Sequence, residues 1–104
     1  MDTKKLEALV ASVELGSFTR AAEQLGYTQS GLTHMMNSLE KDIGFTVLVR
    51  GRSGVQLTPA GQRIFPLVQD CLAGSAALER EIALINSHKE DSVRVAAYES
   101  IARH

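Results

Sequence analysis

Phe18-Thr19-Arg20-Ala21-Ala22-Glu23-Gln24-Leu25-Gly26-Tyr27-Thr28-Gln29-Ser30-Gly31-Leu32-Thr33-His34-Met35-Met36-Asn37 is the stretch that decides the fold of this chain. It reads as two helices joined by a turn of about four residues. Ala22 is small where the two helices must approach closely. Gly26 sits in the turn and can take the positive φ that other residues resist. Leu32 faces back between the helices and plugs a small core. The first turns of the second of these helices then expose Gln29, Ser30, Thr33, His34 and Asn37. All are polar and fairly short, and none is negatively charged. Such side chains can bond base edges and phosphates from within a major groove, and a helix N-terminus favours phosphate through its free N–H groups. The plainer alternative is a solvated helix face.

Working outward, Leu6, Leu9, Val10 and Val13 recur at helical spacing and predict a first helix over Lys4 to Leu15. Gly16 ends it, and Ser17 is placed to cap a second helix over Phe18 to Leu25. Thr28 caps a third over Gln29 to Ile43, with Leu32, Met35 or Met36, Leu39 and Ile43 inward, and Gly44 closes it. Two β-like runs follow, Val47 to Arg50 and Val55 to Leu57, around a hairpin tip at Gly51-Arg52-Ser53-Gly54. This is a wing, whose Arg50 and Arg52 can reach phosphates or enter a minor groove.

Thr58-Pro59 starts a fourth helix that is expected to reach Asn86 or Ser87. Its apolar positions fit a heptad. Ile64, Cys71, Leu78 and Ile85 take one seam position; Gly61, Val68, Ser75 and Ile82 take the other. So regular a seam points to a second chain, the alternative being that the face packs on its own head. Pro66 interrupts the pattern and is expected to kink the helix. His88-Lys89-Glu90-Asp91-Ser92 reads as a polar break, and Val93 to Ala96 as a strand. One strand makes no domain, so a second domain is expected to begin there.

The bulk properties narrow the function. The 104 residues suffice for one small domain, and the net charge is −1. Locally the balance differs. Between Ser17 and Arg63 the bases Arg20, Lys41, Arg50, Arg52 and Arg63 face Glu23, Glu40 and Asp42, a sum of +5 − 3 = +2. Acidic residues gather later, at Glu79, Glu81, Glu90 and Asp91. A weakly basic head on an acidic tail is compatible with DNA binding without demanding it. Cys71 is the only cysteine, which excludes an internal disulfide and a cysteine-based zinc site. It reads as a small hydrophobe rather than a redox sensor. No apolar run is long enough to span a membrane, and a reducing cytoplasm is the expected location. No nucleophile–base pair or phosphate-cradling glycine loop suggests an enzyme. Three function classes remain: a DNA-binding regulator, an interaction and dimerisation module whose winged head has lost DNA binding, and, most weakly, an enzyme.

The residues also carry a resemblance. Gly16-Ser17-Phe18-Thr19-Arg20-Ala21-Ala22-Glu23-Gln24-Leu25, Gln29, Leu39-Glu40-Lys41-Asp42-Ile43-Gly44, Arg50 and Leu57-Thr58-Pro59-Ala60-Gly61 make the chain similar to the N-terminal region of LysR-type transcriptional regulators. The resemblance implies a mainly α fold: a winged helix-turn-helix of three helices and a two-stranded wing, followed by a long dimerisation helix. It implies a DNA-binding domain over 1–58, a linker helix over 59–87, and over 88–104 a hinge and the start of a C-terminal effector-binding domain. The implied partners are double-stranded DNA with an interrupted dyad, a second copy of the chain (a tetramer at full length) and a small-molecule effector, with no cofactor. The resemblance places DNA contacts on Ser17, Gln29, Ser30, Thr33, His34 and Arg50; Thr19, Asn37 and Arg52 complete the candidate DNA-binding residues, and the heptad makes Ile64, Val68, Cys71, Ser75, Leu78, Ile82 and Ile85 the candidate dimer seam. The chain departs from the family's usual pattern at Ser30, Thr33, His34, Val47-Leu48 and Ser53, which bears on DNA preference rather than fold.

Overall fold

The computed structural model describes residues 2–91, which fall into two units divided between Leu72 and Ala73. The first unit holds α1 (Thr3–Leu15), α2 (Phe18–Leu25), α3 (Gln29–Ile43), β1 (Leu48–Gly51), β2 (Gly54–Leu57) and the opening turns of α4 (Pro59–Asp91). The rest of α4 forms the described part of the second.

Every helix begins on a side-chain oxygen that accepts an otherwise unpaired backbone N–H. Asp2 accepts from Lys5 at 3.1 Å, Ser17 from Arg20 at 3.1 Å, Thr28 from Gly31 at 3.0 Å and Thr58 from Gly61 at 2.9 Å. Each such cap contributes about 1 kcal/mol. The Asp2 cap starts α1 at Thr3, one residue earlier than the apolar spacing predicts. Gly26 closes α2 at φ 81°, the left-handed conformation expected of it, and the next amide, Tyr27, donates to the Ala22 carbonyl at 2.9 Å.

The core of the first unit follows from those turns. Leu9, Ala21, Leu32, Leu39 and Val47 are inaccessible to solvent, and Leu6, Ala22 and Met36 nearly so. Of the two methionines, Met36 is the core residue and Met35 packs at its edge. Ser12 is the one buried polar residue among the described residues, and its hydroxyl donates to the Ala8 carbonyl at 2.7 Å, which removes the cost of burying it.

β1 and β2 pair antiparallel from Leu48↔Leu57 to Gly51↔Gly54, leaving Arg52-Ser53 as the turn. Val47, expected to open the first strand, lies outside the ladder. Its N–H goes to Glu40 and its carbonyl accepts from Thr58 at 3.0 Å, so its bonds are spent on joining α3 and α4. Gly54 has φ 101°, and a Cβ there would run into the Gly16 carbonyl oxygen. That close approach lets the Val55 amide donate to Gly16 at 3.1 Å and fastens the wing to the α1–α2 turn.

Two expectations for α4 need correction. Val68 is 7% exposed and belongs to the core of the first unit, with Ile64 and Leu72 packed against it. Gly61 is buried too, against the Val47 carbonyl. The start of the seam is therefore occupied by the chain's own head, because heptad spacing cannot tell an intrachain neighbour from a second chain. Pro66, expected to kink the helix, lies inside it and does not interrupt it. It is exposed, so the Gln62 carbonyl deprived of its usual donor stands on an exposed residue as well. Nor does the helix stop at Ser87: it runs to Asp91, since His88 to Asp91 are polar but include no helix-breaking Gly or Pro. The strand expected at Val93 to Ala96 lies outside the described residues.

In the second unit the remaining seam positions are open. Leu78, Ile82 and Ile85 are 61%, 48% and 57% exposed, and Ser75 is half-buried. Cys71, at the end of the first unit, is exposed as well.

Candidate nucleic-acid interface

α3 is buried along the row Leu32, Met36 and Leu39. Burying that row turns Gln29, Ser30, Thr33, His34 and Asn37 to the other side, where these five line one shallow open depression. Their side chains are almost free of internal partners. Ser30 makes only a long 3.5 Å contact with the Thr28 hydroxyl. Thr33, His34, Asn37 and the amide nitrogen of Gln29 have no hydrogen bond or ion pair among the described residues. The oxygen of the Gln29 amide accepts from the Thr19 hydroxyl on α2 at 3.1 Å.

The other sequence-derived candidates stand apart from this depression. Ser17 is half-buried and its hydroxyl oxygen is engaged as the α2 cap. Arg50, on β1, lays its guanidinium over the Phe18 ring, 4.8 Å from the centroid. Arg52 is exposed on the wing turn. The ring face attracts the cation electrostatically, so Phe18 gives the wing arginine a preferred seat at the start of α2. That link joins residues 32 positions apart and has no local signature in the sequence.

The acidic residues of α3 are accounted for inside the fold. One oxygen of Glu40 accepts from the amides of Val47 and Leu48, at 2.8 and 3.0 Å. Lys5 of α1 donates to Ser38 at 2.8 Å and to Asp42 at 2.9 Å. The Lys5 hydrogen bond, with its charge, holds the Asp42 carboxyl below the ordinary aspartate value against a smaller opposing desolvation. Sequence reasoning counted Glu40 and Asp42 in the local charge balance and missed what they hold. Among the described residues no cluster of His, Cys, Asp or Glu could hold a metal ion, and no helix is long and apolar enough to cross a membrane.

Known proteins share this architecture. Residues 3–62 match the family model described as bacterial regulatory helix-turn-helix protein, lysR family. The probable HTH-type transcriptional regulator LrrA of Synechococcus elongatus is 34% identical over 104 residues, the whole chain and 35% of that protein. The HTH-type transcriptional regulator HdfR of Escherichia coli is 31% identical over 97 residues, 93% of the chain and 35% of that protein. The chain thus spans about a third of the length of these relatives. Among solved structures, the BenM DNA-binding domain in complex with catB site 1 DNA superposes with a TM-score of 0.78 at 31% identity, covering 84% of this chain and 98% of that one. Full-length CbnR complexed with its target DNA gives 0.70 at 30% identity, covering 80% of this chain and 29% of that one.

Proposed function

The chain belongs to the LysR family of bacterial regulatory helix-turn-helix proteins, and from that premise we propose that it is the DNA-binding part of a transcription regulator. α3 enters the major groove of double-stranded DNA, and Gln29, Ser30, Thr33, His34 and Asn37 meet the base edges and nearby phosphates. Ser17 and Thr19 lie toward the backbone at the start of α2. Arg50 and Arg52 bring the wing to phosphate or to the minor groove. The family is one of regulators rather than enzymes.

The observation that carries the reading is the open face of α3. An ordinary solvated helix face is laced with Lys and Glu at paired spacings. Here five neighbouring positions are polar and carry no carboxylate, while the nearby acids are turned to structural work. A single head has little excess charge, so phosphate attraction alone holds it weakly. Pairing two heads makes the second contact intramolecular and raises the affinity without new contacts. The exposed stripe Cys71, Leu78, Ile82 and Ile85, with Ser75, supplies the pairing surface, so the operator is an interrupted dyad. The family membership and the uncovered two-thirds of the relatives support a C-terminal effector-binding part beyond Asp91, tetramers at full length and a cytoplasmic location.

Selection of the purified chain against random duplex DNA tests the proposal. Enrichment of two related half-sites is expected; failure to enrich any sequence overturns it and favours an interaction module. Leu78→Asp or Ile82→Asp should give monomers by light scattering, and an intact dimer would exclude pairing through α4.

A further inference from the structure

We propose that Thr19 fixes which end of the Gln29 amide faces DNA, and so makes Gln29 a reader of keto bases, guanine or thymine. The inference rests on the DNA-binding reading above. Thr19 is the second residue of α2 and Gln29 the first of α3, so their hydrogen bond bridges the two helices of the motif. The Thr19 hydroxyl donates to Gln29 Oε1 at 3.1 Å, and Gln29 Nε2 has no partner among the described residues.

The amide has ends of opposite sense: the oxygen accepts and the NH₂ donates. Unrestrained, a glutamine can lay both ends on adenine, whose N6 donates and whose N7 accepts. With Oε1 turned to α2, the donor is the end left for the groove. A donor is satisfied by O6 and N7 of guanine or O4 of thymine, whereas adenine offers it N7 alone beside an amino group of the same sense, and cytosine offers only an amino group. Thr19 therefore acts on base choice as a positioning residue, through Gln29. Its exposure means that replacing it leaves the core intact.

The test is a duplex selection run in parallel on the full chain, Thr19→Val, Thr19→Ser and Gln29→Ala. The position read by Gln29 is the one whose preference Gln29→Ala abolishes. There the unaltered chain should favour guanine or thymine over adenine or cytosine by about tenfold, within the range expected of one good base contact. Thr19→Ser, which keeps the hydroxyl, should retain that preference. Thr19→Val, nearly the same shape without it, should reduce the preference to about threefold or less, with adenine rising, at an unchanged melting temperature. Identical preferences in the unaltered chain and Thr19→Val would overturn the inference while leaving DNA binding standing, as would a preference for an amino base in the unaltered chain. No enrichment by the unaltered chain would overturn both.

Discussion

The first turns of α3, Gln29 to Asn37, and its last turns, Ser38 to Asp42, both carry polar side chains and use them to opposite ends. In the last turns Ser38 and Asp42 are bonded to Lys5 of α1, and Glu40 to the two amides that open the wing. In the first turns Thr33, His34, Asn37 and the Gln29 amide nitrogen bond nothing among the described residues. The difference is what the proposed function asks of a helix that is both scaffold and reader. A reading element must be held to within a fraction of an ångström, and that precision comes from groups other than those that read. The second half of α3 supplies it, so that the first half can leave its donors and acceptors unsatisfied.

Removing the anchor should have the largest effect on stability. Glu40→Ala leaves the Val47 and Leu48 amides without their charged acceptor in a partly buried site, and should cost about 2–3 kcal/mol of folding free energy by urea denaturation. Glu40→Gln keeps an acceptor oxygen and should cost less. A loss below about 0.5 kcal/mol for Glu40→Ala would mean that the wing is held by the Val55–Gly16 and Thr58–Val47 bonds alone.

The reading half should give the reverse signature. Gln29→Ala and Thr33→Ala should leave stability within about 0.5 kcal/mol and weaken binding to the selected operator by about 1–3 kcal/mol, read by fluorescence anisotropy. A variant that lost stability but kept affinity would erase the division between the halves.

How much of this division the sequence shows depends on the range of each interaction. Caps act across three residues, so Ser17, Thr28 and Thr58 mark their helices in the sequence itself, and the bounds of α2 and α3 follow from them. The exposed polar face is legible for the same reason, since its members share one helix. Glu40 reaches seven and eight residues ahead across a chain reversal, and Lys5 reaches more than thirty, so neither role has a local pattern. Val68 shows the converse failure. Its spacing is right for a coiled-coil seam, but only the packing of α4 on the head reveals that its partner is the chain's own core.

The wing tests the same division outside α3. Arg50 is held over Phe18 and Arg52 is exposed on the turn, and the role proposed for both is to meet phosphate rather than bases. Arg50→Ala or Arg52→Ala should weaken binding to selected and scrambled duplexes alike. Each should lower the magnitude of the slope of log affinity against log salt by about 0.9. An unchanged slope would remove that arginine from the contact, and a change confined to the selected operator would make it a base reader.

The smallest expected effect separates the two acidic anchors from each other. Asp42 is exposed, and its pairing with Lys5 lowers its carboxyl below the ordinary value of 3.8. A carboxyl depressed in the folded chain contributes stability above its unfolded pKa and loses it as pH falls through the folded one. From pH 7 to about 5 the charge is present in both states, so the difference in melting temperature between the chain and Asp42→Asn should be constant and small. Below about pH 4 it should shrink as Asp42 takes up its proton. Lys5→Met should remove that pH dependence, because it removes the cause of the lowered pKa, while Ser38→Ala should leave it in place. A difference that instead grew with acid would mean that Asp42 is held by something other than Lys5, and the tie between α1 and the scaffold half of α3 would have to be sought elsewhere.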